Sequence, residues 1–180
     1  NPKGLAASYE SFLMISHPFS HELAIAEQLI RAAGERVMAF YANGAEVSWK
    51  GVNDPVTAAD HAANALIVAG LRRAFPDDAI LSEESSDDLA RLSARRVWIV
   101  DPLDGTKEFI GGIGEFSLMI GLAVEGAPML GVVYQPVTDR LYRGVPGHLA
   151  QIEEQDAVRS LTVSAVSDPA AMRLVASRSH

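Results

Sequence analysis

The chain of 180 residues is predicted to fold as a layered α+β unit, and three observations carry that prediction. Two segments with apolar residues at helical spacing come first. Two short, unbroken apolar runs follow, and then longer strand-like runs joined by turn residues. Helices followed by a meandering sheet pack as layers around a shared core. With 48% hydrophobic residues the chain can fill such a core, and its length corresponds to roughly one domain of about 150 residues.

Residues 1–19 show no clear periodicity and read as an amino-terminal arm. Ser20 is a candidate cap for the first helix, which carries Leu23, Ala26, Ile30, Ala33, Val37 and Phe40 along one face and ends at Asn43-Gly44. A second helix is expected from about Ala58 to Phe75, with Ala63, Ile67, Leu71 and Ala74 buried and Pro76 as its stop. Ala79-Ile80-Leu81 and Val97-Trp98-Ile99-Val100 are expected strands covered on both faces. Residues 116–124 and 129–135 form longer strands joined through Glu125-Gly126-Ala127-Pro128, and a turn over 136–139 leads to Leu141-Tyr142-Arg143. Weaker strand candidates are residues 148–152, 161–165 and 174–177, and Gly144-Val-Pro-Gly147 reads as a hairpin loop.

Composition excludes several function classes. Charged residues make up 21% of the chain, which together with its apolar content argues against disorder. No stretch approaches the ~18 consecutive apolar residues of a membrane span. The net charge of −8 and the lack of a basic stripe argue against a nucleic-acid polymer as partner. With no cysteine there is no disulfide, zinc–thiolate site, iron–sulfur cluster or thiol nucleophile. Residues 1–18 lack the pattern of a secretory signal, so the cytoplasm is the default compartment.

The chemistry lies in the carboxylates. An apolar strand, Trp98-Ile-Val-Asp101, delivers Asp101 at its carboxyl end, and Pro102-Leu103-Asp104-Gly105-Thr106 follows. Pro102 fixes a backbone angle, so the two aspartates can face one point, while Gly105 admits an oxygen ligand close to the backbone. An ordinary turn is an equal reading of this hexamer alone. The strand at 79–81 also ends in carboxylates, Ser82-Glu83-Glu84, and pairing of the two strands would bring Glu83 or Glu84 beside Asp101 and Asp104. Like charges about 4 Å apart repel by ~4 kcal/mol at an effective dielectric near 20, so the cluster calls for a divalent cation. An all-oxygen donor set suits Mg²⁺, Mn²⁺ or Ca²⁺ and argues against zinc or copper. Asp87 and Asp88 read as solvated residues that favour the start of a short helix near Leu89. Thr57 and Asp60, in Asp54-Pro-Val-Thr57-Ala-Ala-Asp60, have the spacing of a capping box for the second helix.

Taken in order, Asp54-Pro-Val-Thr-Ala-Ala-Asp60, Ser82-Glu83-Glu84-Ser85 and Trp98-Ile-Val-Asp-Pro-Leu-Asp-Gly-Thr106 resemble the motifs of the inositol monophosphatase superfamily. Asp101 to Ile110, with Lys107-Glu108, looks most like the 3′(2′),5′-bisphosphate nucleotidase branch. The resemblance covers roughly residues 20–180. It implies a layered αβαβα sugar-phosphatase-like sandwich, of which mainly the amino-terminal helix pair and mixed sheet would be present. It also implies a lithium-sensitive, magnesium-dependent phosphatase that uses two or more Mg²⁺ ions.

Residue by residue, the resemblance implies that Glu83, Asp101 and the Leu103 carbonyl hold a first Mg²⁺, and that Asp101 and Asp104 hold a second. Backbone amides around Gly105 and Thr106 would contact substrate phosphate. Thr106, supported by Asp60, would orient the attacking water. The implied substrate is 3′-phosphoadenosine 5′-phosphate or a close relative, with an inositol monophosphatase or a noncatalytic metal- or phosphate-binding protein as alternatives. The partner expected is a small phosphorylated molecule rather than a nucleic acid or membrane, and a homodimer stays open.

The superfamily's later Trp-Asp motif is missing, since Trp49 and Trp98 precede Lys50 and Ile99. Residues 175–180 resemble the first strand of a carboxyl-terminal α/β layer. The expected division is an arm over 1–19, a metal-binding domain over 20–170 and the start of a further layer over 171–180. A fragment of a longer phosphatase is expected, holding a metal site but turning over slowly alone. The five histidines show no paired metal spacing, Gly114-Glu-Phe-Ser117-Leu118 lacks the final glycine of a nucleophile elbow, and Gly111-Gly-Ile-Gly114 is a loop near the site rather than a dinucleotide fingerprint.

Overall fold

In the computed structural model, residues 17–44, 46–51 and 54–175 are described, and a pair of helices lies across one face of a seven-stranded sheet. Helix α1 (Ser20–Asn43) buries Leu23, Ala26, Ile30, Ala33 and Val37, the stripe that its spacing predicts. Ser20 is not its cap: it is already helical, and the capping position falls on Phe19, whose side chain offers no hydrogen bond. Gly44 ends the helix with φ 80°. A small antiparallel hairpin, β1 (Val47–Gly51) and β2 (Asp54–Thr57), follows. Strand β1 escapes the sequence reading because it lacks a buried face; Val47 and Trp49 are both exposed.

Helix α2 (Ala58–Ala74) starts where the capping box places it. The Ala59 N–H donates to Thr57 Oγ1 at 3.1 Å, and the Thr57 N–H donates to Asp60 Oδ2 at 2.8 Å. It packs on α1 through small residues. A methyl group at Gly70 would collide with the Leu29 side chain of α1, so the crossing is as close as a bare glycine permits.

Strand β3 (Ala79–Ser82) runs parallel to β4 (Arg96–Asp104), and every later step of the sheet is antiparallel: β5 (Ser117–Val124), β6 (Ala127–Gln135), β7 (Arg140–Val145), β8 (Leu149–Glu154) and β9 (Ala157–Ser160). The β5–β6 turn is Glu125-Gly126, both residues at positive φ, as a two-residue hairpin of the twisted kind requires. Between β4 and β5 a five-residue helix, α3 (Thr106–Ile110), is seated by Phe109, whose ring lies 5.4 Å from Tyr41 and 5.2 Å from Phe116. Trp98, Val100, Leu118, Ile120, Leu122 and Val132 point from the sheet into the core beneath the helices.

Three strand expectations need correction. Strand β4 is not covered on both faces, because Ile99 is 48% exposed between the buried Trp98 and Val100. Its apolar run alternates in burial, and the described helices shield one side only. Residues 161–165 form no strand; the turn at Gln155-Asp156 brings β9 in earlier, and the ladder closes as the Leu161 N–H donates to the Ala150 carbonyl. Leu174 and Val175 are not in a strand either, and the rest of that candidate lies outside the described residues, as do residues 1–16 of the arm. Among the described residues no helix is long and apolar enough to cross a membrane.

Charged pairs pin α1 to the far end of the sheet. Arg143 of β7 meets Glu27 of α1 at 2.9 Å, and Arg31 of α1 meets Glu153 of β8 at 2.6 Å. Burial pushes the Glu27 carboxyl up, and the Arg143 guanidinium opposes that rise.

Candidate active site

The one parallel pair in the sheet determines where the carboxylates meet. Parallel strands end on the same side, so Ser82 at the end of β3 stands beside Val100 of β4. The Glu83 N–H extends the pairing by donating to the Val100 carbonyl at 3.2 Å. Glu83 therefore leaves β3 at the level where β4 reaches Asp101. Antiparallel strands would have sent these chain ends to opposite edges of the sheet.

Asp101 and Asp104 are three apart, and in a regular strand such residues face opposite ways. The register shows why these do not. Asp101 pairs with Met119 and Asp104 with Ser117, so β4 takes three steps where β5 takes two. The extra residue is a bulge, which returns both aspartates to the same side. Pro102 sits in this bulge, where the ladder does not need its missing N–H. Pro102 and Leu103 are buried while Asp104 is exposed, and the Leu103 N–H donates to Asp101 Oδ1 at 3.2 Å.

Asp101 registers the result. Burial, the negative charges of Glu83 and Asp104, and a hydrogen bond shared with Glu83 push its carboxyl up to about 7, against the opposing Leu103 N–H. A carboxylate pair that retains a proton near neutrality has more negative charge than its surroundings can stabilise. A hard divalent cation would relieve that excess, and oxygen-only donors fit Mg²⁺. Among the described residues no group of three or more His, Asp or Glu side chains is placed to hold a metal ion.

On the other side of the loop, Thr106 opens α3 with its hydroxyl 3.2 Å from Asp60 Oδ1 and 3.1 Å from the Leu103 carbonyl. Asp60 is 2% exposed, and its other oxygen accepts from the Thr57 N–H and from Thr57 Oγ1–H at 2.6 Å. The capping box therefore also aims Asp60 at Thr106. Gly105, between Asp104 and Thr106, has φ 91°. The structure thus sets the charges of Glu83 and Asp104 near Asp101, and joins Asp60, Thr106 and the Leu103 carbonyl by hydrogen bonds, with Thr106 following directly on the Asp104-Gly105 turn. Asp87 and Asp88 stand apart; they accept from the Leu89 and Ala90 N–H groups and start a 3₁₀ turn at Ala90–Leu92.

Sequence reasoning missed Asn64, Ser82 and Ser85, which are hydrogen-bonded beside Glu83. A signal existed: Asn64 lies one turn after Asp60 on the buried stripe of α2, where an apolar residue is the rule. His61 was also passed over; its Nδ1 is 3.9 Å from Glu84 Oε2 at the rim of the site.

Helices lie over a mixed sheet, with carboxylates near the ends of a parallel strand pair and a threonine–aspartate pair alongside. Residues 20–180 match the inositol monophosphatase family model, and the chain belongs to that family. It is 44% identical over 156 residues to the 3′(2′),5′-bisphosphate nucleotidase CysQ of Escherichia coli (strain K12), covering 85% of this chain and 62% of that protein. It is 37% identical over 134 residues to the Nus factor SuhB of Haemophilus influenzae, covering 73% of this chain and 50% of that relative. Among solved structures, CysQ from Bacteroides thetaiotaomicron superposes with a TM-score of 0.66 at 35% identity, covering 82% of this chain and 54% of that one. The suhB protein of Bartonella henselae gives a TM-score of 0.72 at 32% identity, covering 81% and 55%. The chain therefore spans about three-fifths of the length of the curated nucleotidase relatives it matches.

The grouping predicts a contrast between two aspartates. If Asp104 is a ligand, Asp104→Asn removes a donor to the cation, whereas Asp87→Asn removes a carboxylate held by Arg91 at 2.8 Å. Calorimetric Mg²⁺ titration should show roughly tenfold or greater weakening for Asp104→Asn and no change for Asp87→Asn. Equal affinities would overturn the assignment of Asp104 as a ligand.

Proposed function

We propose that this chain carries the metal-binding part of a Mg²⁺-dependent phosphomonoesterase acting on 3′-phosphoadenosine 5′-phosphate or a related bisphosphate nucleotide in the cytoplasm. The observation that supports it most is the strand bulge that turns Asp101 and Asp104 to one side, beside Glu83. Glu83, Asp101 and the Leu103 carbonyl would hold one Mg²⁺, and Asp101 with Asp104 a second. Bound there, the ions supply charge neutralisation for the phosphoryl oxygens and a water acidic enough to attack.

The chain's own groups do the positioning. Asp60, fixed by two bonds from Thr57, accepts the Thr106 hydroxyl proton. That leaves the lone pairs of Thr106 Oγ1 free to accept from a water and hold it in line with the phosphorus. The backbone N–H groups following Gly105 would contact a phosphate oxygen. Phosphoryl transfer depends mainly on such positioning and on charge neutralisation, so no covalent nucleophile is needed.

Lys107-Glu108 and the nucleotidase relatives favour the bisphosphate nucleotide over inositol phosphate. The test compares kcat/KM for 3′-phosphoadenosine 5′-phosphate and inositol 1-phosphate with Mg²⁺ present, because specificity is the ratio of the two. A preference for the nucleotide is expected. A preference for inositol 1-phosphate would replace this reading with an inositol monophosphatase, and metal binding without phosphate release from either would replace it with a binding protein.

A further inference from the structure

We infer that Asn64 is a positioning residue that holds Glu83 at the metal site, by clasping the end of β3 to helix α2. The inference rests on the phosphatase reading above for what Glu83 does, and on geometry alone for what Asn64 does.

Asn64 is 9% exposed and lies one helical turn beyond Asp60. Its Oδ1 accepts from Ser82 Oγ at 2.6 Å, while its Nδ2 donates to the Glu84 carbonyl at 3.2 Å and to Ser85 Oγ at 3.0 Å. The neighbours dictate the amide orientation, since the reversed amide would set its oxygen against the Glu84 carbonyl. Ser82 Oγ in turn accepts from the Glu84 N–H at 3.4 Å. Residues 82, 84 and 85 are therefore all tied to one side chain, and Glu83 between them shares a hydrogen bond with Asp101.

A buried amide on an apolar helix stripe needs such a reason. Replacing it by a hydrocarbon of similar volume would leave the Glu84 carbonyl and the Ser82 and Ser85 hydroxyls without this partner. The strand register holds Glu83 from the β4 side, through Val100. Asn64 holds it from the α2 side. The same helix carries Asp60 one turn earlier, so one rigid segment sets both Glu83 and, through Asp60, Thr106. Asn64 thereby couples the spacing of the two halves of the site.

Partners that orient a metal ligand without touching the metal change affinity by roughly 10–100-fold when removed. Asn64→Leu, and the isosteric Asn64→Asp, should each weaken Mn²⁺ binding about tenfold or more in a calorimetric titration of the whole chain. At saturating metal, kcat should recover towards wild type, so the loss falls on metal affinity. A double-mutant cycle with Glu83→Gln separates this from general damage: with the Glu83 carboxylate gone, Asn64→Leu should have little further effect on the remaining affinity.

Amide hydrogen exchange on the metal-free chain reads the clasp independently, and residues 83–85 should exchange faster in Asn64→Leu while Val97–Val100 do not. Unchanged Mn²⁺ affinity in folded Asn64 variants, or additive effects in the cycle, would overturn the positioning role. If Asn64→Leu does not fold, Asn64→Asp and Ser85→Ala carry the same titration. A wild-type chain that binds no Mn²⁺ would refute the phosphatase reading instead, and the exchange comparison would still decide whether Asn64 anchors residues 83–85.

Discussion

In metal-free buffer at pH 8, Asp101→Asn should be more stable than the wild-type chain and should no longer be stabilised by Mg²⁺. The reason is the proton that the folded state favours on Asp101. Its carboxyl is pushed up to about 7, against about 3.9 for an aspartate in an unfolded chain. A raised carboxyl pKa means that the folded state binds protons more tightly, so ionisation weakens the fold. The penalty is absent below about pH 4, grows as pH rises, and is complete above about 7. Asp101 is partly open to solvent, and screening reduces the penalty to ~1–2 kcal/mol, or roughly 3–6 °C in Tm for a chain of this size.

Asparagine carries no charge to ionise. The variant should gain this stability at pH 8, and the gain should vanish near pH 4. Thermal melts across that range, in chelator and in excess Mg²⁺, test both halves together. The wild type should rise in Mg²⁺, because a ligand that binds only the folded state stabilises it by mass action. A variant less stable than wild type at pH 8 in chelator would show that Asp101 supports the fold rather than straining it.

The second large effect is expected at Gly105. Its φ of 91° disfavours any side chain, and a Cβ there would stand 2.8 Å from the Glu115 carbonyl oxygen and 3.3 Å from Phe116 Cα. Both obstacles are backbone, or tied closely to it, and neither can swing aside. Gly105→Ala should therefore cost about 2–4 kcal/mol, from the left-handed conformation and the forced displacement together. Gly112 is the control: its φ is 67°, but nothing lies within 4 Å, so Gly112→Ala should cost only the conformational part, about 1 kcal/mol. Urea unfolding of the two variants measures the difference. Similar costs would mean that the turn after Asp104 has room to relax. Phosphate release should fall far more in Gly105→Ala, because Asp104 and Thr106 flank the glycine.

Much of this architecture was legible because burial has a period. The apolar stripes of α1 and α2, the Pro76 stop and the Glu125-Gly126 turn all leave marks in the sequence that follow from local geometry. Ile99 misled because an apolar run reads the same whether a strand is covered on one face or on both. Residues 161–165 misled because Gln155 and Asp156 turn at positive φ without a glycine, so the reversal carries no conspicuous signal. The candidate carboxylates stood out by residue type, whereas the role of Thr106 was drawn from the family resemblance. What could not be read was the device that makes them converge. A one-residue bulge depends on the pairing partner, and the reach of Asn64 to Ser82 and Ser85 depends on how helix and strand lie together.

Insertion tolerance follows from the single parallel step between β3 and β4. Because both strands run the same way, the chain must travel back over the length of the strand between residues 82 and 96. That return path lies outside the sheet, and two apolar residues on it, Leu89 and Leu92, are 56% and 70% exposed. Its two ends are under different rules. Residues 82–85 are stitched to α2 and the end of β4, so their length is fixed to the residue. The middle of the path, beyond Ser86, has only to cover the distance back to Arg96. A lineage can lengthen or reshape that middle without moving Glu83 relative to Asp101. The segment offers a place to build new surface beside the site while its inner geometry stays constant.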